Sequence, residues 1–87
     1  MPYFVYMIKT LNSFKKKTYV GYTKNIEHRL KKHNENKGAK STRGYKWEII
    51  YKKKFYKKNE ALSYEYKLKN DRIKRASILK KHNDKRI

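Results

Sequence analysis

One acidic residue falls on the apolar face of a predicted helix. Residues 59 to about 72 predict this helix, with Asn59 as its N-cap. At about 100° per residue, Glu65 lies between Leu62 and Leu68, on the face expected to meet the core. A carboxylate there is costly unless it is paired, hydrogen-bonded or bound to a metal. The favoured interpretation is a structural ion pair with one of the many lysines, and location alone does not make Glu65 a metal ligand.

Two basic residues lie one turn apart on another predicted helix. Either Thr23 or Asn25 can cap this helix, which runs to about Asn34. Arg29 and His33 are four residues apart, so their side chains can point at one spot. The alternative is an arginine that lies along the core edge beside a satisfied histidine.

Two tyrosines lie on predicted strands. Residues 3–10 and 17–22 are rich in β-branched and aromatic side chains and predict a hairpin. Tyr6 lies on the first strand and Tyr19 on the second, where Gly21 would let a backbone or a phosphate approach closely. Because tyrosines on strands usually serve packing, it is their combination with the Arg/His helix and the inward glutamate that favours a site.

The remaining segments complete the order of elements. A polar connection covers residues 11–16, and a loop with two glycines covers residues 34–46. Residues 47–51 predict a third strand, which residues 52–56 either extend or follow as an edge, and residues 74–82 predict a last helix.

The order ββαβα(α) predicts an α/β (α+β) sandwich, in which helices flank a small mixed three-stranded sheet. We expect one domain over residues 1–87, with a core over about 3–72 and a basic C-terminal helix and tail over 73–87.

The strongly positive net charge of the chain indicates a negatively charged partner. The chain has 87 residues and carries 26 Lys and Arg against 7 Asp and Glu, a formal net charge of +19. Nucleic acid is favoured, because each phosphate that the protein neutralises releases counterions. A membrane is disfavoured, because the longest apolar run, residues 3–8, is far shorter than the roughly 20 residues that span a bilayer. The absence of cysteine excludes disulfides and thiolate zinc sites, and we expect an intracellular protein.

The candidate residues and their order resemble the GIY-YIG nuclease family. Residues 4–6 (Phe-Val-Tyr) are similar to its Gly-Ile-Tyr motif, and residues 19–21 (Tyr-Val-Gly) to its Tyr-Ile-Gly motif. Residues 29–34 resemble its Arg-x-x-x-His helix, and residues 60–65 resemble the helix whose glutamate binds metal. Residues 37–43 resemble the Gly-Ala-Lys-x-Thr loop of small stand-alone members.

The resemblance covers residues 3–72 and departs from the family pattern in three places. Phe4 replaces the first glycine, twelve residues between Tyr6 and Tyr19 make the hairpin loop longer than usual, and only Asn70 lies near the family's terminal asparagine.

The resemblance implies a phosphodiester hydrolase that uses one Mg²⁺ or Mn²⁺ held by Glu65. Tyr6 would be the general base, and Arg29 would hold a phosphate oxygen. Tyr19 and His33 would orient water or shuttle the proton. The products would be a 5′-phosphate and a 3′-hydroxyl.

Clustered basic side chains are expected to bind the phosphate backbone. One cluster is interleaved with Phe55 and Tyr56, which offer stacking surface, and the other lies in the loop of residues 37–43. The nucleic-acid-binding candidates are Lys37, Lys40, Arg43, Lys52, Lys53, Lys54, Lys57 and Lys58. Residues 66–87 form a third basic zone.

The expected partner is DNA, recognised by structure or single-strandedness more than by base sequence, with RNA as the alternative substrate. A role in DNA repair or recombination would follow. We expect no membrane partner and no obligate protein partner. Two other functions stay open: a non-catalytic basic nucleic-acid-binding protein on the same fold, and a module of a larger assembly.

Overall fold

A three-stranded sheet lies between one helix on its first face and two helices on its second. The computed structural model describes residues 1–11 and 16–84. Its elements are β1 (Tyr3–Thr10), β2 (Thr18–Thr23), α1 (Ile26–Asn34), a 3₁₀ turn (Lys40–Thr42), β3 (Trp47–Phe55), α2 (Lys58–Asn70) and α3 (Arg72–Asp84). The predicted α+β class and order of elements are confirmed, and residues 52–55 extend β3.

The sheet is antiparallel, so the expectation of a mixed sheet is wrong. The strand order is β2-β1-β3, and β1 pairs antiparallel with both neighbours. A parallel pair would require β2 and β3 to be adjacent, but β1 lies between them.

The central strand β1 is covered on both faces, which explains its almost unbroken apolar sequence. Val5 and Met7 face α2 and α3, where they join a core cluster completed by Val20, Ala61, Leu68 and Ile78. Tyr6 and Ile8 point to the opposite face, the α1 side, and pack with Trp47. The α1 side therefore carries the candidate tyrosines.

Helix α2 differs in detail from the sequence prediction. Its N-cap is Lys57, without a side-chain hydrogen bond, and Asn59 lies inside the first turn. Lys57 already accepts the first helical hydrogen bond, from Ala61, so the helix begins before Asn59 can cap it. Ala61 is fully buried whereas Leu62 is 38% exposed, because the small alanine lets α2 approach the sheet. The buried face is thus turned so that Glu65 lies between Ala61 and Leu68.

Helix α1 begins as predicted. Asn25 is the N-cap, and its side chain accepts a hydrogen bond from the His28 backbone N–H. The Thr23 hydroxyl bonds to the Asn25 backbone and so supports the cap.

Parts of two predicted segments fall outside the described residues. These are residues 12–15, where the longer hairpin loop is expected, and residues 85–87 of the predicted tail. None of the helices in the described ranges combines the length and apolar character needed to cross a membrane.

Candidate active site

The Tyr6 hydroxyl is the meeting point of the candidate side chains on the α1 side of the sheet. Tyr6 is 1% exposed, and its hydroxyl oxygen lies 2.8 Å from His33 Nε2. Arg29 Nε donates to the same oxygen at 3.4 Å. The four-residue spacing of Arg29 and His33 on α1 therefore brings both groups to one atom, as the sequence predicts.

Gly21 makes room for Tyr6 itself. It is the register partner of Tyr6 on β2. A Cβ at position 21 would lie 2.5 Å from Tyr6 Oη and 3.0 Å from Tyr19 Cε2. The close approach at Gly21 is therefore made by the Tyr6 phenol.

A chain of hydrogen bonds assigns the proton on His33. The Thr42 hydroxyl donates to the Ala39 carbonyl at 2.8 Å, so its oxygen must accept from His33 Nδ1, 2.9 Å away. His33 therefore carries its proton on Nδ1, and Nε2 is the acceptor. Tyr6 must then donate its hydroxyl proton to His33 Nε2 and accept from Arg29.

The loop after α1 is built around the His33 ring. A Cβ on Gly38 would clash with His33 Nδ1, so only glycine allows the loop to pass this close. Trp47 Nε1 donates to the Thr42 carbonyl at 2.9 Å, and the Asn34 side chain accepts from the Trp47 backbone N–H at 2.7 Å. These bonds fix the loop against α1 and the start of β3.

Burial sets the protonation states at this centre. Burial, with the nearby Arg29 charge, lowers the pKa of His33 to about 4. Burial also raises the pKa of Tyr6 to about 12, although Arg29 opposes that shift. The hydrogen bond to Tyr6 raises the pKa of Arg29 further. At neutral pH the centre holds a neutral imidazole, a neutral phenol and a permanent cation.

Tyr19 completes the aromatic wall of the centre. Its ring centroid lies 5.1 Å from that of His33 and 6.4 Å from that of Tyr6. Tyr6 contributes most to the raised pKa of Arg29, and Tyr19 also contributes. Arg29 therefore lies near both tyrosines.

Glu65 reaches this centre from the opposite side of the sheet. Its side chain is 17% exposed, and its charge contributes to the raised pKa of Tyr6. An ion pair of 3.5 Å joins it to Lys69, whose side chain is 48% exposed. Such a pair contributes about 0.5 kcal/mol or less, so it does not account for the glutamate as a structural anchor.

The donor set fits a loosely held divalent ion. No cluster of three or more acidic or imidazole ligands exists within residues 1–11 and 16–84. Mg²⁺, however, often takes only one or two carboxylates and completes its shell with water and substrate phosphate. Glu65 supplies one such carboxylate, close enough to Tyr6 for its charge to act on the phenol.

Comparison with known proteins supports what the geometry indicates. The family model of the GIY-YIG catalytic domain matches residues 2–78. The chain belongs to the GIY-YIG family. This family includes nucleases, and the match covers every element that contributes to the centre.

Several relatives are bacterial UPF0213 proteins. A UPF0213 protein of Oceanobacillus iheyensis is 54% identical over 59% of this chain, and the aligned part spans 60% of that protein's length. A UPF0213 protein of Staphylococcus saprophyticus is 37% identical over 77% of this chain and 79% of its own. The solution NMR structure of a UPF0213 protein from Bacillus halodurans is 33% identical, with a TM-score of 0.47, and covers 92% of this chain and 84% of its own.

The lysine run on β3 is divided between the two faces of the sheet. Lys52 is the register partner of Tyr6, so it shares the α1 side, where Lys54 also lies. Lys53 points to the other side, with its ammonium 4.7 Å from the Tyr64 ring centroid. The side chains of the run therefore point to both faces of the sheet.

The other predicted nucleic-acid contacts are exposed. The side chains on the loop are Lys37, Lys40 and Arg43, and those before and at the start of α2 are Lys57 and Lys58. Asn70 lies at the exposed end of α2, where its side chain donates to the Tyr66 carbonyl.

Two residues of the centre were missed by sequence reasoning. Thr42 assigns the His33 tautomer, and Asn34 ties α1 to β3. Thr42 ends the Gly-Ala-Lys-Ser-Thr run, which resembles a family loop and could have indicated it. From the sequence, the basic residues of this loop are predicted only as nucleic-acid contacts.

The buried His33 should make the protein acid-sensitive. The folded-state pKa of about 4 lies below the ordinary 6.5, so the unfolded chain gains a proton that the folded chain does not. Stability is therefore complete above pH 6.5 and falls by about 3 kcal/mol as the pH approaches 4. Urea unfolding from pH 7 to 4 should show this loss in wild type and in His28→Gln, where the substituted histidine is exposed. The loss should be smaller in His33→Gln, and an equal loss in all three proteins would contradict the assignment.

The Thr42 hydroxyl can be tested with a matched pair of variants. Thr42→Val keeps the shape of the side chain but leaves His33 Nδ1–H buried without an acceptor, which costs about 1–3 kcal/mol. Thr42→Ser keeps the hydroxyl and should be clearly less destabilised in thermal unfolding. If the serine variant lost as much stability as the valine variant, packing of the methyl group and not the hydrogen bond would explain Thr42.

Proposed function

We propose that this protein is a metal-dependent endonuclease that hydrolyses phosphodiester bonds in DNA, directed by structure or single-strandedness with little sequence specificity. The observation that supports this most is the Tyr6 hydroxyl, which lies between a neutral imidazole acceptor and a guanidinium. A packing tyrosine needs neither partner.

Tyr6 acts as a proton relay and not as a preformed phenolate. With a pKa of about 12, hardly any phenolate exists at neutral pH. The Tyr6 oxygen takes a proton from the attacking water while its own proton passes to His33 Nε2. His33 then carries protons on both nitrogens, and its Nδ1–H remains hydrogen-bonded to the Thr42 hydroxyl oxygen.

Substrate binding prepares His33 to accept that proton. The Arg29 charge is one of the two causes of the low His33 pKa. A phosphodiester bound to Arg29 offsets this charge and so raises the basicity of the imidazole. Proton transfer is thereby coupled to the presence of substrate.

Arg29 holds a non-bridging oxygen of the scissile phosphate. The hydrogen bond from Nε to Tyr6 orients the guanidinium, and its remaining N–H groups are donors for the phosphate. Glu65 is the residue that would hold Mg²⁺ or Mn²⁺. When bound, the ion would stabilise charge on the phosphate and on the leaving oxygen.

The alternative is a nucleic-acid-binding protein without activity, since the charge of +19 supports binding equally well. A cleavage assay with labelled flap, fork, single-strand and duplex substrates separates the two. We expect cleavage with Mg²⁺ and none with EDTA. Binding without cleavage of any of these substrates, in Mg²⁺ or Mn²⁺, would establish the alternative.

Loss of the Tyr6 hydroxyl should abolish most turnover. Tyr6→Phe removes the relay atom, and we expect turnover to fall by about 10²-fold or more. Tyr64→Phe is the matched control, because it removes a hydroxyl that bonds to Tyr51 at 2.7 Å on the other side of the sheet. If both variants lost equal activity, the effect would come from packing and not from chemistry.

Replacing Glu65 should separate stability from activity. Glu65→Gln removes only a weak ion pair, so the melting temperature without metal should change little, while Mg²⁺-dependent cleavage should disappear. Mg²⁺ should raise the melting temperature of wild type and not of Glu65→Gln. Glu60→Gln, on the exposed part of the same helix, is the control. A Glu65→Gln protein that still cleaves DNA would remove the metal assignment.

The division of the β3 lysines predicts unequal roles in DNA binding. The double variant Lys52→Gln/Lys54→Gln should lower the salt slope of the dissociation constant by about 0.7–0.9 per lost phosphate contact. Lys53→Gln, on the other face, should change the slope little. If Lys53→Gln lowered the slope as much per substitution as the double variant does, DNA would not prefer the α1 side.

A further inference from the structure

A cavity of about 280 Å³ lies where α2 and α3 meet the start of β2. Its lining residues are Thr18, Tyr19, Val20, Lys69 and Arg75. No acidic side chain is among them. The volume is at the small end for ligand pockets and suits a phosphate with its sugar better than a base pair.

Two cations of different kinds line this cavity. Arg75 Nη1 donates to the Leu68 carbonyl at 2.9 Å and to the Lys69 carbonyl, which fixes the guanidinium at the end of α2. A guanidinium has five N–H donors, so others stay available for a ligand. Lys69 is half exposed, and the partner of its ammonium is Glu65, at 3.5 Å.

The strand edge adds backbone donors. β2 is an edge strand, and the Lys17 carbonyl accepts from Thr10 N–H on β1 at 3.1 Å. Because hydrogen-bonding direction alternates along an antiparallel strand, the N–H groups of Thr18 and Val20 point away from β1. The cavity therefore combines two outward amides with the two cations.

The cavity is continuous with the catalytic centre through two residues. Tyr19 lines it and also packs against Tyr6 and His33. Lys69 lies one helical turn after Glu65 and is paired with it. Along β2, Thr18 and Gly21 are about 10 Å apart. A phosphate in the cavity would therefore lie next to a phosphate bound at Tyr6.

We propose that this cavity is a phosphate subsite, which binds a backbone phosphate next to the scissile one on the same nucleic-acid strand. The proposal rests on the nuclease function proposed above for the centre itself. Occupation of the subsite thus fixes the position of the strand before cleavage.

The test measures binding of a short single-stranded DNA to the full chain in EDTA, where no metal-dependent cleavage occurs. Lys69→Gln and Arg75→Gln should each lower the salt slope by about 0.7, the value for one contact on a single strand. Lys67→Gln, an exposed lysine on the same helix that does not line the cavity, should leave the slope unchanged. Equal slope changes in Lys67→Gln and Lys69→Gln would overturn the subsite.

A second measurement keeps the proposal testable if Arg75→Gln unfolds. Single neutral methylphosphonates are placed along the strand, and one position should weaken wild-type binding but not binding by Lys69→Gln. If no position shows this coupling, the subsite is wrong. Inorganic phosphate is the other probe, and binding as tight as that of the strand would show a free-phosphate site instead.

Failure of the subsite and failure of the nuclease function give different results. If wild type cleaves DNA but Lys67→Gln and Lys69→Gln change the salt slope equally, the nuclease function stands and the subsite does not. A protein that shows the methylphosphonate coupling but never cleaves keeps the subsite and loses the nuclease function. If the strand does not bind at all, the subsite is overturned.

Discussion

The buried hydrogen-bond chain from the Ala39 carbonyl through Thr42 and His33 to Tyr6 constrains the rest of the structure. Each group in it has one proton to give, so the first donation, from Thr42 to Ala39, decides every later direction. The α1 side of β1 must place Tyr6 against His33, and glycine is required at positions 21 and 38 because any side chain there would enter the space of these two rings.

Much of the fold and part of the site could be predicted from the sequence. Period-2 and helical patterns placed the three strands and α1, and the four-residue spacing of Arg29 and His33 predicted that both would reach one atom. The antiparallel pairing of β3 was not predictable, because the pattern of a single strand does not specify its neighbour. The orientation of α2 was missed because Leu62 looks apolar in sequence, whereas the small Ala61 allows the close approach.

The part of the site that escaped prediction depends on proton direction and on loop geometry. Thr42 lies in a loop rich in lysine, and nothing in its residue type reveals that its hydroxyl meets His33. The net charge of +19 likewise does not specify where on the surface nucleic acid binds. Strand alternation sends Lys52 and Lys53 to opposite sides, and Lys69 and Arg75 meet the β2 edge only through the turn between α2 and α3.

The protonation state of His33 is the central claim, and nitrogen-15 NMR of the imidazole side chains tests it most directly. The chain has three histidines, so the signals can be assigned with His28→Gln and His82→Gln. We expect His33 to carry its proton on Nδ1 at pH 7 and to stay neutral until the pH approaches 4. A proton on Nε2, or a titration near the ordinary pKa of 6.5, would contradict it.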